Sequence, residues 1–248
     1  MRPIKSLALA TAAASLLCLS APRVDGQRVT GFESGDTAPT PIGDAGSRGA
    51  YQGVAPFELA NQYLITTINS VGGDVGETSQ SGINAVGSAA LNAFVGTSVG
   101  AFEGSAFTLT ILITPLSNIV SFNYDFLTNE GRTDHPDLAF AVLTNSGGTV
   151  VGGLRTIATP ASISAINPLL LSGSPFIFHT GYQEFSFTVA TPGTYTLTIG
   201  VADRQTSDIP SALLVDNIRI IPEPSTVALA FAGVGLLVGL QRIRTRLR

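Results

Sequence analysis

Gly96-Thr97-Ser98-Val99-Gly100 fits the G-x-S-x-G pattern, in which a serine nucleophile stands on a sharp turn between a strand and a following helix. Such a serine needs an acid and a histidine later in the chain, and Asp125 or Asp137 with His179 supply the residue types. Ala101 to Phe107 lead into a strand, however, so the helix that the elbow requires is missing and hydrolase chemistry is disfavoured. Glu130, Asp134 and Asp137 cluster around Gly131 and His135-Pro136 in an inter-strand loop. Paired acids of this kind can do glycosidase chemistry, but in a polar loop they read as solvated groups, some able to ligate a surface cation. His135 and His179 stand alone, and the single Cys18 excludes a disulfide framework and any cysteine-based metal site. There is no Trp; Tyr51, Tyr63 and Tyr182 are the tyrosines available to stack on a ligand ring, whereas Tyr124 and Tyr195 lie in phase with apolar neighbours and belong to the core.

The elements that would hold these groups are strands. Apolar residues alternate over residues 185–189 and 195–201, on either side of Thr191-Pro192-Gly193, which reads as two half-buried strands joined by a tight turn. Residues 107–113 and 122–126 behave alike around 115–118, and 138–143 and 149–154 flank Asn145-Ser146-Gly147-Gly148. With 29–32, 62–68 and 213–220 the count is about nine strands. Helical periodicity is nowhere sustained; residues 84–94, interrupted by Gly87, are a short helix or a loop. Short alternating strands without crossover helices pack sheet on sheet, so the expected fold is all-β, a single antiparallel β-sandwich.

The chain has 248 residues, 12% of them charged, with a net charge of −4. Residues 27–221 form the one domain, and there six arginines oppose fifteen carboxylates, a net of −9. That balance excludes a nucleic-acid-binding face and suits secretion and cation binding.

The two ends differ from the domain. Residues 1–26 carry Arg2 and Lys5, then the apolar run LALATAAASLLCL, then a polar region, which is the layout of a cleaved secretory signal with Gln27 as the first mature residue. Leu17 before Cys18 argues against lipidation there. Residues 226–240 (TVALAFAGVGLLVGL) are uncharged and, as helix, would measure about 22 Å. That is short for a hydrocarbon core of roughly 30 Å, but Arg242, Arg244, Arg246 and Arg248 follow and can reach the headgroups. A C-terminal transmembrane helix with its basic tail in the cytoplasm places the domain outside.

Pro222-Glu223-Pro224, a short apolar helix and an arginine cluster, in that order, resemble the PEP-CTERM sorting signal over residues 222–248, about a tenth of the chain. The resemblance implies recognition of Pro222, Glu223 and Pro224 by an exosortase, a membrane transpeptidase of exopolysaccharide-making bacteria, after export by signal peptidase. It implies an inner-membrane precursor with a periplasmic domain, then release to the cell surface or matrix. Two prolines keep such a junction extended and accessible.

A second resemblance is more diffuse. Thr30-Gly31-Phe32-Glu33-Ser34-Gly35 and Ala212 to Ile218 look like the first and last strands of carbohydrate-binding-module-like jelly rolls, and Ser88 to Gly96, Gly104 to Phe107 and Val120 to Thr128 look like stretches common in PEP-CTERM ectodomains. In such jelly rolls a Glu of the first strand and an Asp of the last hold a structural calcium ion, which here implies Glu33 and Asp216. Two carboxylates are necessary and insufficient for Ca²⁺; the other role open to them is to satisfy backbone donors at strand ends. The function expected is that of a non-catalytic cell-surface or exopolysaccharide-matrix protein. A glycan-binding module is the alternative, and a secreted hydrolase the remoter one.

Overall fold

The computed structural model describes residues 26–69, 79–130, 137–163, 167–168, 176–204 and 209–223. The signal region before Gly26, Pro224, the apolar stretch 226–240 and the four tail arginines lie outside the described residues, as do Asp134 and His135. Among the described residues no helix is long and apolar enough to cross a membrane.

Two antiparallel sheets face one another. The strands are β1 (Gln27–Thr30), β2 (Thr40–Ile42), β3 (Ala45–Arg48), β4 (Gln62–Thr66), β5 (Val86–Gly87), β6 (Glu103–Ile113), β7 (Ile119–Thr128), β8 (Leu138–Asn145), β9 (Arg155–Ala158), β10 (Asn167–Pro168), β11 (Phe178–His179), β12 (Gln183–Thr188), β13 (Gly193–Asp203) and β14 (Ser211–Ile221). The first sheet runs β10-β11-β7-β14-β4-β3; β12 also pairs with β7, and β1 with β14. The second runs β2-β6-β13-β8-β9, with β5 on β6. A two-sheet sandwich is therefore the architecture, as alternation predicts.

The long strands obey period two. Phe122, Tyr124 and Phe126 of β7, Leu213 and Val215 of β14, and Tyr63 and Ile65 of β4 meet Phe107, Leu109, Ile111, Leu197, Ile199 and Ala141 from the other sheet in one core. Burial of each such side chain contributes about 1.5–3 kcal/mol. Each outer face carries a smaller apolar cluster. Outside the second sheet, α1 (Ser88–Val95) lays Leu91 and Val95, together with Val99, over Ala106, Phe140, Val142 and Ala202. Outside the first, Tyr51, Val54 and Phe176 cover Leu64, Leu127, Ala212 and Leu214.

Two local expectations change. Residues 149–154 make only an isolated bridge, Thr144 with Val150, because Gly152 and Gly153 turn the chain with φ of 74° and 71°; the strand begins at Arg155 instead. The turn at Thr191-Pro192-Gly193 does not make a hairpin. β12 pairs with β7 and β13 with β6 and β8, so the turn carries the chain from one sheet to the other. The turn at 115–118 likewise joins β6 to β7 across the sandwich.

Candidate ligand-binding face

The G-x-S-x-G match is a helix ending. α1 precedes Ser98, and Gly96 is its C-cap, left-handed at φ 77°, with its N–H bonded to the Asn92 carbonyl. Asn92 Oδ1 then accepts the Val99 N–H at 2.8 Å, which lets Val99 join Leu91 and Val95. Ser98 is exposed beside the second sheet, whereas His179 belongs to β11 of the first.

Glu33 and Asp216 grip one segment of chain. Glu33 Oε1 accepts the N–H groups of Ala60 (2.9 Å) and Asn61 (2.7 Å), and Oε2 accepts Asn61 Nδ2 at 2.8 Å; the Asn61 N–H above all holds this carboxyl below its usual range. Asp216 Oδ2 accepts the Glu58 N–H at 2.8 Å and Oδ1 the Asn217 N–H at 2.6 Å. Burial pushes Asp216 up to about 6, against those two N–H groups. An N–H donor thus reaches every carboxylate oxygen of the pair, the role of satisfying backbone donors, and two carboxylates alone are too few for calcium. Among the described residues no three His, Cys, Asp or Glu side chains stand as a metal-ligating group.

Of the three candidate tyrosines, Tyr63 is in the inter-sheet core, edge-on to Phe107 with centroids 4.7 Å apart. Tyr51 is buried against Phe176. Both positions are set by tertiary packing that sequence phase alone does not resolve. Tyr182 does reach the surface, where its ring lies 5.4 Å from Phe57, itself 51% exposed. The Tyr182 hydroxyl donates to Gln62 Oε1, and Gln62 Nε2 donates to the carbonyls of Gly49 (2.8 Å) and Val54 (3.1 Å). Burial raises the Tyr182 phenol, and the charges of Asp216 and Asp125 raise it further, so it stays a neutral donor. Tyr124 and Tyr195 are core, as expected.

His179 is not alone. Its Nδ1 lies 2.8 Å from Oδ2 of Asp125, a fully buried acid. Thr180 Oγ1 donates to the other oxygen at 3.1 Å and accepts the Phe126 N–H at 3.0 Å. Burial raises the Asp125 carboxyl, with His179 opposing. Among the described residues no hydroxyl or thiol bonds the far nitrogen of His179; the carboxylate fixes the orientation of the imidazole. A separation of 54 positions along the chain hid it: the pairing of β11 with β7 brings the two together. Gln62, Asp125 and Asp216, all fully buried, thus make a polar layer outside the first sheet, beneath Phe57, Tyr182 and His179, which reach solvent.

Glu130 and Asp137 are not solvated loop acids. Glu130 is 5% exposed and Asp137 fully buried, with the Asp137 N–H bonded to Glu130 Oε2 at 3.0 Å. At the other end of the domain, Pro222 and Glu223 directly follow β14 and are half-buried. Glu223 Oε1 accepts Asn118 Nδ2 at 2.7 Å, which ties the start of the Pro-Glu-Pro tripeptide to the turn before β7.

No protein-family model matches this chain, and no curated protein does. Among solved structures it is similar to TmCBM61, solved in complex with β-1,4-galactotriose, at 8% identity over 79% of this chain and 99% of that one, with a TM-score of 0.40. It is similar to the K2 cleaved adhesin domain of Lys-gingipain at 11% identity, 79% and 97% coverage and a TM-score of 0.41. The CBM22-1 xylan-binding domain of Paenibacillus barcinonensis Xyn10C aligns at 11% identity, 82% and 99% coverage and a TM-score of 0.36. Likeness this distant assigns no ligand and no site residue.

Proposed function

We propose that this chain is an exported, non-catalytic surface or matrix protein, a jelly-roll-like sandwich sorted through a PEP-CTERM signal. Signal peptidase would remove residues 1–26, residues 226–240 would hold the precursor in the inner membrane, and an exosortase would act near Pro222, Glu223 and Pro224. The domain would then reach the cell surface or the exopolysaccharide layer. The observation that carries this reading is the order of tripeptide, uncharged apolar stretch and Arg242, Arg244, Arg246 and Arg248. It is supported by the place where the sheet stops: β14 ends at Ile221, so the tripeptide begins where strand pairing no longer protects the backbone.

The test is the intact mass of the protein from a host with the exosortase and from the same host without it, in membrane and medium. Loss of the C-terminal segment near residue 223 only when the exosortase is present is the expected result. A full-length C-terminus in the membrane of both hosts would reduce the chain to a tail-anchored ectodomain. A second reading, glycan binding, is favoured by one observation, the exposed Phe57 ring against the part-exposed Tyr182. An exposed aromatic ring is what the apolar face of a sugar stacks on.

A further inference from the structure

One end of the space between the sheets is closed by acids. On β6 and β13, Glu103 pairs with Asp203. Ala202 pairs with Leu138, so Asp137, one residue before β8, stands beside Asp203. All three share the parity of Phe107, Ile199, Val201, Ala139 and Ala141, which face the core. They therefore form a row across three adjacent strands, pointing inward at the margin of the sandwich. The facing sheet brings oxygens to the same end. Ser211 pairs with Thr128 and its hydroxyl donates to Thr128 Oγ1 at 2.7 Å. Thr67 Oγ1 accepts the Ser211 N–H at 2.9 Å, Thr128 Oγ1 accepts the Glu130 N–H at 3.0 Å, and Asn69 Nδ2 donates to Glu103 Oε2 at 2.7 Å.

Glu103, Glu130, Asp137 and Asp203 are all buried. Four acids so close repel one another, and a buried carboxylate without hydrogen bonds is among the costliest groups a fold can contain. Asp137 is such a group: it is fully buried, and neither of its oxygens has a hydrogen-bond partner. It feels the charges of Asp203 and Glu130; the Ser211 side chain and the Arg204 N–H ease it without reaching hydrogen-bond geometry. A divalent ion bound by oxygen ligands answers both problems, since it neutralises charge and occupies free lone pairs.

We propose that Glu103, Glu130, Asp137 and Asp203 form a calcium site that locks β6, β13 and β8 to the end of β7, separate from the Glu33 and Asp216 clamp. The four side chains do not stand at ligating distance of a common point. Binding would therefore rotate the longer Glu103 and Glu130 side chains inward, exchanging the Asn69 amide and the Asp137 N–H that they now accept for the ion, and hydroxyl and carbonyl oxygens of the Thr67, Thr128 and Ser211 layer would bring the shell towards the six to eight that calcium takes. Magnesium, which asks for tighter octahedral geometry and retains water, suits this layer less well.

Thermal unfolding of the full-length protein in chelator and in calcium chloride tests the site. At a hundredfold excess over Kd the midpoint should rise by about 5 °C or more. Asp137→Asn and Asp203→Asn should each abolish that rise, while the double variant Glu33→Gln, Asp216→Asn should keep it. If the acid-cluster variants fail to fold, equilibrium dialysis with calcium on that double variant reads the site directly, and one ion per chain is expected. No rise and no bound calcium in the unaltered protein would overturn the proposal and leave the acids held by shared protons. A rise that survives Asp137→Asn but is lost in the double variant would overturn it in favour of the other pair.

Discussion

Asp137 shows how far burial can move one residue. Its carboxyl is pushed up to about 9 by burial first and by Asp203 and Glu130 next. Asp216 moves the same way, to about 6. Between the unfolded value near 4 and these folded values the native chain holds protons that the unfolded chain has lost. Stability therefore falls as pH rises through that window, the reverse of a salt-bridged aspartate. In chelator, the urea midpoint should be higher at pH 5 than at pH 8. Asp137→Asn, which is neutral at every pH, should flatten that slope and raise the midpoint at pH 8. An unchanged slope in the variant would mean that Asp137 is ionised and solvated. His179 illustrates the opposite case, a residue whose isolation in the sequence concealed a buried carboxylate partner.

At the level of elements, β13 is the centre of the second sheet, with β6 on one side and β8 on the other. Gly200 lies on β13 pressed between its two neighbours, Phe140 of β8 and Ser105 and Ala106 of β6. A Cβ there would sit 2.5 Å from Phe140 Cζ and 2.6 Å from the Ser105 carbonyl oxygen. Backbone on one side and a fully buried ring on the other leave nothing that can give way cheaply. Gly200→Ala should accordingly cost about 1–3 kcal/mol or more, read as a lower denaturant midpoint at unchanged m-value. A variant as stable as the parent would show that the sheet can shift at its centre. The helix α1 is short and Gly-capped for a related reason: it exists to cover Phe140, Val142 and Ala202 with Leu91 and Val95, and packing rather than propensity sustains eight residues of helix.

For the molecule as a whole, the chain crosses repeatedly from one sheet to the other, and its first and last strands meet: β1 pairs with β14, Gln27 opposite Ile220. The two terminal segments read as export and sorting signals would then join the domain at one place. Exposed apolar side chains are scattered over the surface, and Phe57 differs in leaning on the part-exposed Tyr182 to make an aromatic patch. If that patch contacts glycan, exopolysaccharide from the host should retard the protein in an affinity gel, and Phe57→Ala should relieve the retardation several-fold. Equal mobility of the parent with and without polysaccharide would sink the glycan reading and leave the sorting reading intact.

Period-two alternation, as in Phe185-Ser186-Phe187 and Tyr195-Thr196-Leu197, determined the strands, the sandwich class and most of the inward-facing residues, because side-chain parity is a local property of extended chain. Composition likewise set the acidic domain apart from its apolar, basic-flanked ends. The sequence by itself left open which sheet each strand would join, and with it everything that depends on partners far along the chain. Tyr63 turned inward to Phe107, Asp125 found His179, and Glu103, Asp137 and Asp203 fell into one row. Each of these rests on strand register and on the crossing of turns between sheets. Those are settled by the packing of two whole faces against each other, to which no stretch of ten residues holds the answer.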